Sequence, residues 1–331
     1  MPASKKERVF SGIQPSGNVH IGNYLGAIKR WVDEQDRFDN IFCIVDLHAI
    51  TVPQDPKTLR NKIREVAALL LAAGINPQHS PVFVQSHISA HAELAWILNC
   101  ITPMGWMERM IQYKEKSSAN KERVSVGLFD YPALMAADIL LYRTDLVPVG
   151  EDQQQHVELA RDIAQRFNNT YGETFVLPKA VVPAQSSRIM GLDNPAKKMS
   201  KSSGGAKHAV SLLDSPKIIR AKIMSAATDS RNEIRFDATR PGIYNLLLIY
   251  EQFSARKRAD IEREFSGKGY AELKNALADL LIRHLEPLQA RYKELRSDER
   301  TIESIVRESA ERIRPLAEKT LQTVKEKMGL G

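Results

Sequence analysis

The stretch SGIQPSGNVHIGNYLG, residues 11–26, decides how the rest of the chain is read. It follows a short apolar run, Val9–Ile13, that reads as a strand. Gln14-Pro15-Ser16-Gly17 then reads as a turn. After it, Ile21, Leu25, Ile28 and Val32 recur at helical spacing, so the chain enters a helix. A strand that turns into a helix brings backbone N–H groups and the positive end of a helix dipole to one point, which suits a phosphate. His20, Gly22 and Asn23 fall in the first turn of that helix. Without a side chain, Gly22 lets a flat ring approach the backbone, and His20 is placed to donate to charge building on a phosphoryl group. For the tetrapeptide HIGN by itself, an ordinary turn with a helix cap is the plainer reading.

Working outward, the same rhythm continues. Ile41–Val45 (IFCIV) is a continuous apolar run of the buried-strand type. Asp55-Pro56 is an N-cap followed by proline at N1, and it opens a helix bearing Leu59, Ile63, Val66 and Leu70 that Gly74 is placed to end. Val82–Gln85 and Leu146–Val149 read as further strands, and 90–101 and 151–167 as helices. Strand alternating with helix predicts a parallel sheet covered on both faces, an α/β, Rossmann-like domain whose ligands bind at the carboxyl ends of the strands. From Ser215 onward the strand signals vanish, and long helical patterns fill 271–295 and 298–328. The Lys-, Ser- and Gly-rich KKMSKSSGG (197–205) lies just before that change. The expected division is a catalytic domain over 1–205 and an all-helical part over 206–331. No internal repeat is present.

Composition agrees with an ordinary globular protein: 331 residues, 43% hydrophobic and 26% charged. No apolar run is long enough to span a bilayer, and MPASKKERVF has no apolar stretch of the kind a secretory signal needs, so a cytoplasmic protein is expected. Cys43 and Cys100, the two cysteines, lack metal-ligand spacing and are expected to be reduced thiols. The net charge is +7, of which residues 205–331 carry +5, from 24 Lys and Arg against 19 Asp and Glu. That excess favours an acidic partner such as nucleic acid, and equally describes a solvated helical surface.

A second element, Lys198-Met199-Ser200-Lys201-Ser202, sets two lysines three apart on a Ser- and Gly-rich loop. Two such cations can converge on a polyphosphate and stabilise a transferring phosphoryl group when the loop closes. A solvated surface loop is the plainer meaning. The two elements together, in this order, resemble the paired hallmarks of the class I aminoacyl-tRNA synthetases. That family reads HIGH at the first, where this chain has HIGN, and the resemblance implies that Asn23 serves as a hydrogen-bond donor in place of the last imidazole. Three longer stretches, FSGIQPSGNVHIGNYLGA (10–27), FDYPALMAADILLY (129–142) and VPVGEDQQQHVELARDIA (147–164), are similar to the bacterial tryptophanyl-tRNA synthetases, as are CIVDLHAIT (43–51) and ERMIQYKEKS (108–117). The likeness covers essentially the whole chain.

Within 129–142, Asp138 lies on an apolar helical face, where an unpartnered carboxylate is costly. It either caps a helix, pairs with an arginine, or accepts from the single N–H of an indole, a ring with no acceptor to offer. The resemblance implies the last, with Met135 lining the ring and Phe10, Gln14, His48, Tyr131 and Gln153 near the amino acid. Phe10, Tyr131 and His48 serve as core residues just as readily. Glu151 and Asp152 suit a helix start by charge alone. The resemblance implies that they hold the ATP ribose with Gly150, that Gln14, Pro15, Ser16, Gly22 and Asn23 contact the rest of the nucleotide, that Ile189 touches adenine, and that Lys116 reaches the pyrophosphate. His20, Lys198, Lys201 and Lys116 are the catalytic candidates.

The reaction implied is in-line attack of the tryptophan carboxylate on the α-phosphorus of ATP, with Mg²⁺ carried mainly by the phosphates and no protein metal site. Transfer to a terminal tRNA hydroxyl follows, the 2′-hydroxyl in class I. The resemblance further implies a homodimer, with a helical insertion near 101–145 at its interface, and a C-terminal part that reads the anticodon. The rivals are a tyrosyl-type synthetase, a small-molecule adenylyltransferase, which shares the HIGH-type element, and a catalytically silent RNA-binding relative.

Overall fold

The computed structural model describes residues 6–110, 125–182, 188–200 and 205–331. Five strands, β1 (Arg8–Ile13), β2 (Asp39–Ile44), β3 (Val82–Val84), β4 (Leu146–Pro148) and β5 (Lys179–Val181), form one sheet in the order β3-β2-β1-β4-β5, all parallel. The chain builds outward from β1 to β3 on one side, then crosses back to add β4 and β5 on the other. The order therefore reverses between β1 and β4, and a crevice opens beyond their carboxyl ends. β5 has no sequence signal worth the name: three residues between Pro178 and Pro183, none of them fully buried.

Strand alternation divides the core into two. Phe42 and Ile44 of β2 point to one face and Ile41 and Cys43 to the other. The first face is covered by the helical stretch α1 (21–33) and by α3 (Pro56–Ala73), while the short α2 (Asp46–Ala49) follows β2 and turns its His48 toward Asp138. Asp55 caps α3 by accepting from Thr58 N at 2.8 Å, and Gly74 ends it at φ 114°, a conformation that costs glycine nothing. Inside α1, residues Tyr24–Ile28 form one π turn, a widened spiral often found where a helix borders a site.

The second face carries α4 (Ala90–Ile101), α5 (Met104–Glu108), α6 (Val126–Leu140) and α7 (Gln154–Tyr171). Residues 151–153, expected as the start of a helix, are instead a single 3₁₀ turn leading into α7. Helices α8 (Pro216–Met224), α9 (Pro241–Ser254), α10 (Arg258–Glu264), α11 (Tyr270–Ser297) and α12 (Glu299–Met328) follow. Ile219, Leu247, Leu277 and Leu281 of these join the first core.

Helix α12 contributes to both cores. Ile302 and Val306 pack in the first, and Ala310, Ile313, Ala317, Leu321 and Val324 in the second. It thereby covers the β3 end of the sheet, an edge that would otherwise be open to pairing. Arg64 on α3 ties its start to Glu299 at 2.8 Å and Glu303 at 2.5 Å. Among the described residues no helix is long and apolar enough to cross a membrane.

Candidate active site

The crevice at the β1/β4 switch holds a cavity of about 540 Å³. Three separate pieces of chain wall it. His20, Gly22 and Asn23 come from the entry to α1; Gly150, Glu151 and Asp152 follow β4; Ile189, Lys198 and Met199 come from a hairpin before the helical part. The size is that of a cofactor or nucleotide site. The fold thus gathers nine of the sequence-expected residues, from positions 20 to 199, on one hollow.

His20 is both a cap and a wall. Its Nδ1 accepts from Asn23 N at 3.3 Å, while Asn23 Oδ1 accepts from His20 N at 3.2 Å. An Nδ1 that accepts leaves the ring proton of a neutral imidazole on Nε2, so Nε2 is the donor. Asn23, its oxygen committed to the cap, keeps its NH₂ as the donor end. Gly22 has a tighter reason than ring access: a Cβ there would meet His20 Nδ1 at 3.0 Å and His20 Cε1 at 3.1 Å. Both readings of the motif, cap and cavity wall, hold at once.

Lys198 stands across the cavity on an antiparallel hairpin. Met190 bridges to Lys198, Met199 N donates to Ile189 O at 3.0 Å, and Gly191 N donates to Lys197 O at 2.8 Å. The Lys198 ammonium lies 3.9 Å from Asp152, and Arg188 lies 3.9 Å from Glu151. These side chains are more than half exposed, so the pairs are loose and the cations can be drawn onto an anionic ligand.

Gln14, Pro15 and Ser16 do not line this cavity. They form the turn after β1, where Ser16 N donates to Gln14 O at 2.9 Å and Gln14 Nε2 donates to His48 O at 3.2 Å. That second bond joins the turn to a neighbouring buried cluster. Ser200 follows the Met199 wall residue without lining the cavity. Lys116, Lys201 and Ser202 lie outside the described residues.

The neighbouring cluster is built on Asp138, which is 1% exposed. Among the described residues it caps no helix and meets no arginine. Oδ1 accepts from Gln85 Nε2 at 2.7 Å and His91 Nδ1 at 2.6 Å, and Oδ2 accepts from His48 Nε2 at 2.8 Å. The other nitrogen of His91 meets the Tyr142 hydroxyl at 2.7 Å. Burial pushes the Asp138 carboxyl up, but hydrogen bonds and charge from His48 and His91 outweigh it and bring it down to about 2. Asp138 is therefore a carboxylate. Such a group accepts at roughly four positions; the three bonds leave one, on the oxygen that faces His48.

Tyr131, Met135 and Asp138 lie on one face of α6, four and three residues apart. The Tyr131 hydroxyl bonds His156 Nε2 at 2.7 Å, and burial pushes its pKa up to about 12. His48 presents its ring edgewise to Tyr131 at 6.1 Å between centroids. Phe10 stacks on Tyr142 at 5.7 Å, so it serves the core beneath the cluster. Gln153 bonds Asp152 at 3.3 Å, and Met135 is half-buried.

Several wall residues escaped the sequence reading. Gly26, Ala27, Arg30 and Trp31 continue the α1 wall beyond the motif, and the signal for them was helical spacing from Gly22 and Asn23. Gln85 and His91 had no such signal, because only the fold brings them to Asp138. Among the described residues no group of three His, Cys, Asp or Glu side chains is arranged to hold a metal.

With this geometry in place, comparison with known proteins is informative. The profile of one family, tRNA synthetases class I (W and Y), matches residues 3–286. The tryptophan–tRNA ligase of Wolinella succinogenes is 55% identical over 325 residues, 98% of this chain and 99% of that one. The solved tryptophanyl-tRNA synthetase of Mycoplasma pneumoniae superposes with a TM-score of 0.90 at 34% identity, covering 98% of both chains. That of Campylobacter jejuni, complexed with ADP and tryptophan, gives 0.85 at 38% identity, covering 98% of this chain and all of that one.

Proposed function

Because this chain belongs to the tRNA synthetases class I (W and Y), we propose that it activates L-tryptophan with ATP and joins it to tRNA, using the β1/β4 crevice as its reaction chamber. The activity is that of a bacterial tryptophan–tRNA ligase. The observation that carries the site assignment is the meeting of the α1 entry and the Lys198 hairpin on one cavity, linked through Gln14 and His48 to a buried carboxylate.

The tryptophan carboxylate attacks the α-phosphorus in line and pyrophosphate leaves. No protein nucleophile is required, so the chain supplies position and charge. Gly22 and Ile189 flank the adenine. Gly150, Glu151 and Asp152 take the ribose hydroxyls, and Gln14, Pro15, Ser16 and Asn23 hold the turn and the phosphates. His20 donates through Nε2 to the developing charge. Lys198 leaves its loose contact with Asp152 for the leaving phosphates, joined by Lys201 and by Lys116, with Met199, Ser200 and Ser202 shaping the loop. Mg²⁺ enters as part of the substrate, on the phosphates.

Asp138 accepts the indole N–H on its remaining position, with Met135 and Tyr131 against the ring, His48 beside it and Gln153 toward the amino group. A phenyl side chain offers no such donor. In the second step the tRNA terminal 2′-hydroxyl attacks the activated carbonyl. The basic helical part, 206–331, reads the anticodon, the catalytic part is 1–205, two copies pair through the region near 101–145, and the setting is the cytoplasm.

Tryptophan-dependent ATP–pyrophosphate exchange tests this reading. The wild type exchanges with tryptophan, poorly with tyrosine or phenylalanine. Lys198→Ala lowers kcat by about 10²–10³-fold while tryptophan binding, measured by calorimetry, stays near wild type. Exchange driven best by another amino acid, or none at all in a protein that still binds tRNA, would overturn it.

A further inference from the structure

His208 lies ten residues beyond Lys198 and is 3% exposed, yet nothing so far gives it a task. Its ring rests against Gly191 in the hairpin, where a Cβ would come within 2.1 Å of His208 Cε1. Its backbone also joins the stem: Leu192 N donates to His208 O at 3.0 Å. The two ring nitrogens have different partners. Nδ1 is 2.6 Å from Asp193 Oδ1, and Nε2 is 3.2 Å from the carbonyl oxygen of Lys198.

A carbonyl oxygen only accepts, so Nε2 must carry a proton to bond it. An ionised carboxylate also only accepts, so Nδ1 must carry one too. A neutral imidazole has a single N–H and can satisfy one of these partners but not both. We propose that His208 is a positioning residue that clasps the stem of the lysine hairpin as a doubly protonated imidazolium, tying Asp193 on one arm to the backbone of Lys198 on the other. This rests on the reading of Lys198 as the residue that meets the phosphates.

The clasp fixes the peptide that carries the Lys198 side chain, 3.9 Å from Asp152 across the cavity. Loss of either bond lets that peptide shift, and a shift of about 1 Å at a phosphate-bound cation costs on the order of 10²-fold in rate. Among the described residues the charged group that touches the ring is Asp193, and the Lys222 ammonium donates to the carbonyl oxygen of the adjoining Ala209 at 2.7 Å. Asp193→Asn isolates the claim: its amide can donate to Nδ1, so the clasp closes with a neutral ring.

The experiment uses the full-length chain labelled with ¹⁵N-histidine, the His208 signals being those lost in His208→Ala. Both nitrogens are expected to carry a proton, since each faces an acceptor. His208→Ala should lower kcat of tryptophan-dependent exchange by about 10²-fold with tryptophan affinity intact. Asp193→Asn should hold kcat near the wild-type value, because its amide closes the clasp, whereas Asp193→Ala should fall with His208→Ala. A His208 ring that carries a single proton, or wild-type kcat in Asp193→Ala, overturns the clasp. Full kcat in Lys198→Ala would instead sink the lysine reading beneath it, whatever the ring's charge. Should His208→Ala fold poorly, Asp193→Asn and the ¹⁵N signals still decide.

Discussion

At the scale of single residues, Asp138 has the most to say. A carboxylate inside an apolar helix face was visible in the sequence as an expense needing a reason, but the reason was not. Gln85 and His91 stand 53 and 47 residues away and meet it only because β3 and α4 end beside α6. Asp138→Ala would leave His48, His91 and Gln85 with buried, unanswered donors. The expected cost is about 3–5 kcal/mol, the usual range for removing one partner of a buried charged pair, read as a lower urea midpoint. The same variant should lose much of its discrimination against phenylalanine and tyrosine in the exchange assay. The carboxyl is held down to about 2 in the folded protein, below the usual value near 4. A depressed carboxylate stabilises the fold above the unfolded value and loses that contribution as pH falls through the folded one. Thermal unfolding should therefore show an acid loss between about pH 4 and 2 that a folded Asp138→Asn variant lacks. Equal acid profiles would contradict the assignment.

At the scale of elements, legibility followed the strength of local rules. Helix α3 was readable at both ends because Asp55, Pro56 and Gly74 each do something only a helix terminus needs. β2 was readable because IFCIV is buried on both faces. β5 was not, since a three-residue edge strand is defined by its neighbour β4 rather than by its own side chains. Nor was the π turn over Tyr24–Ile28, as widening a helix leaves the spacing of its apolar residues almost untouched. Gly74 gives the element-scale prediction. At φ 114°, with Val32 Cγ1 only 3.2 Å from where a Cβ would sit, Gly74→Ala should destabilise by more than about 1 kcal/mol. Chemical denaturation measures this, and an unchanged midpoint would mean that the α3 terminus relaxes at no cost.

At the scale of the whole molecule, the site exists because the strand order reverses between β1 and β4, placing the end of β1, the end of β4 and the Lys198 hairpin around one hollow. The motifs announced each wall separately; their meeting depends on topology that no single motif encodes. Helix α12 closes the β3 side and packs into both cores, so the chain's end belongs to the stability of the sheet that bears the site. The most direct test of this arrangement is a crystal structure with a non-hydrolysable tryptophanyl-adenylate analogue. Adenine should lie between Gly22 and Ile189, the phosphate should sit between His20 Nε2 and Lys198 Nζ, and the indole nitrogen should rest within hydrogen-bonding distance of Asp138 Oδ2. An indole nitrogen turned away from Asp138, or an adenosine bound outside the cavity that these walls enclose, would contradict it.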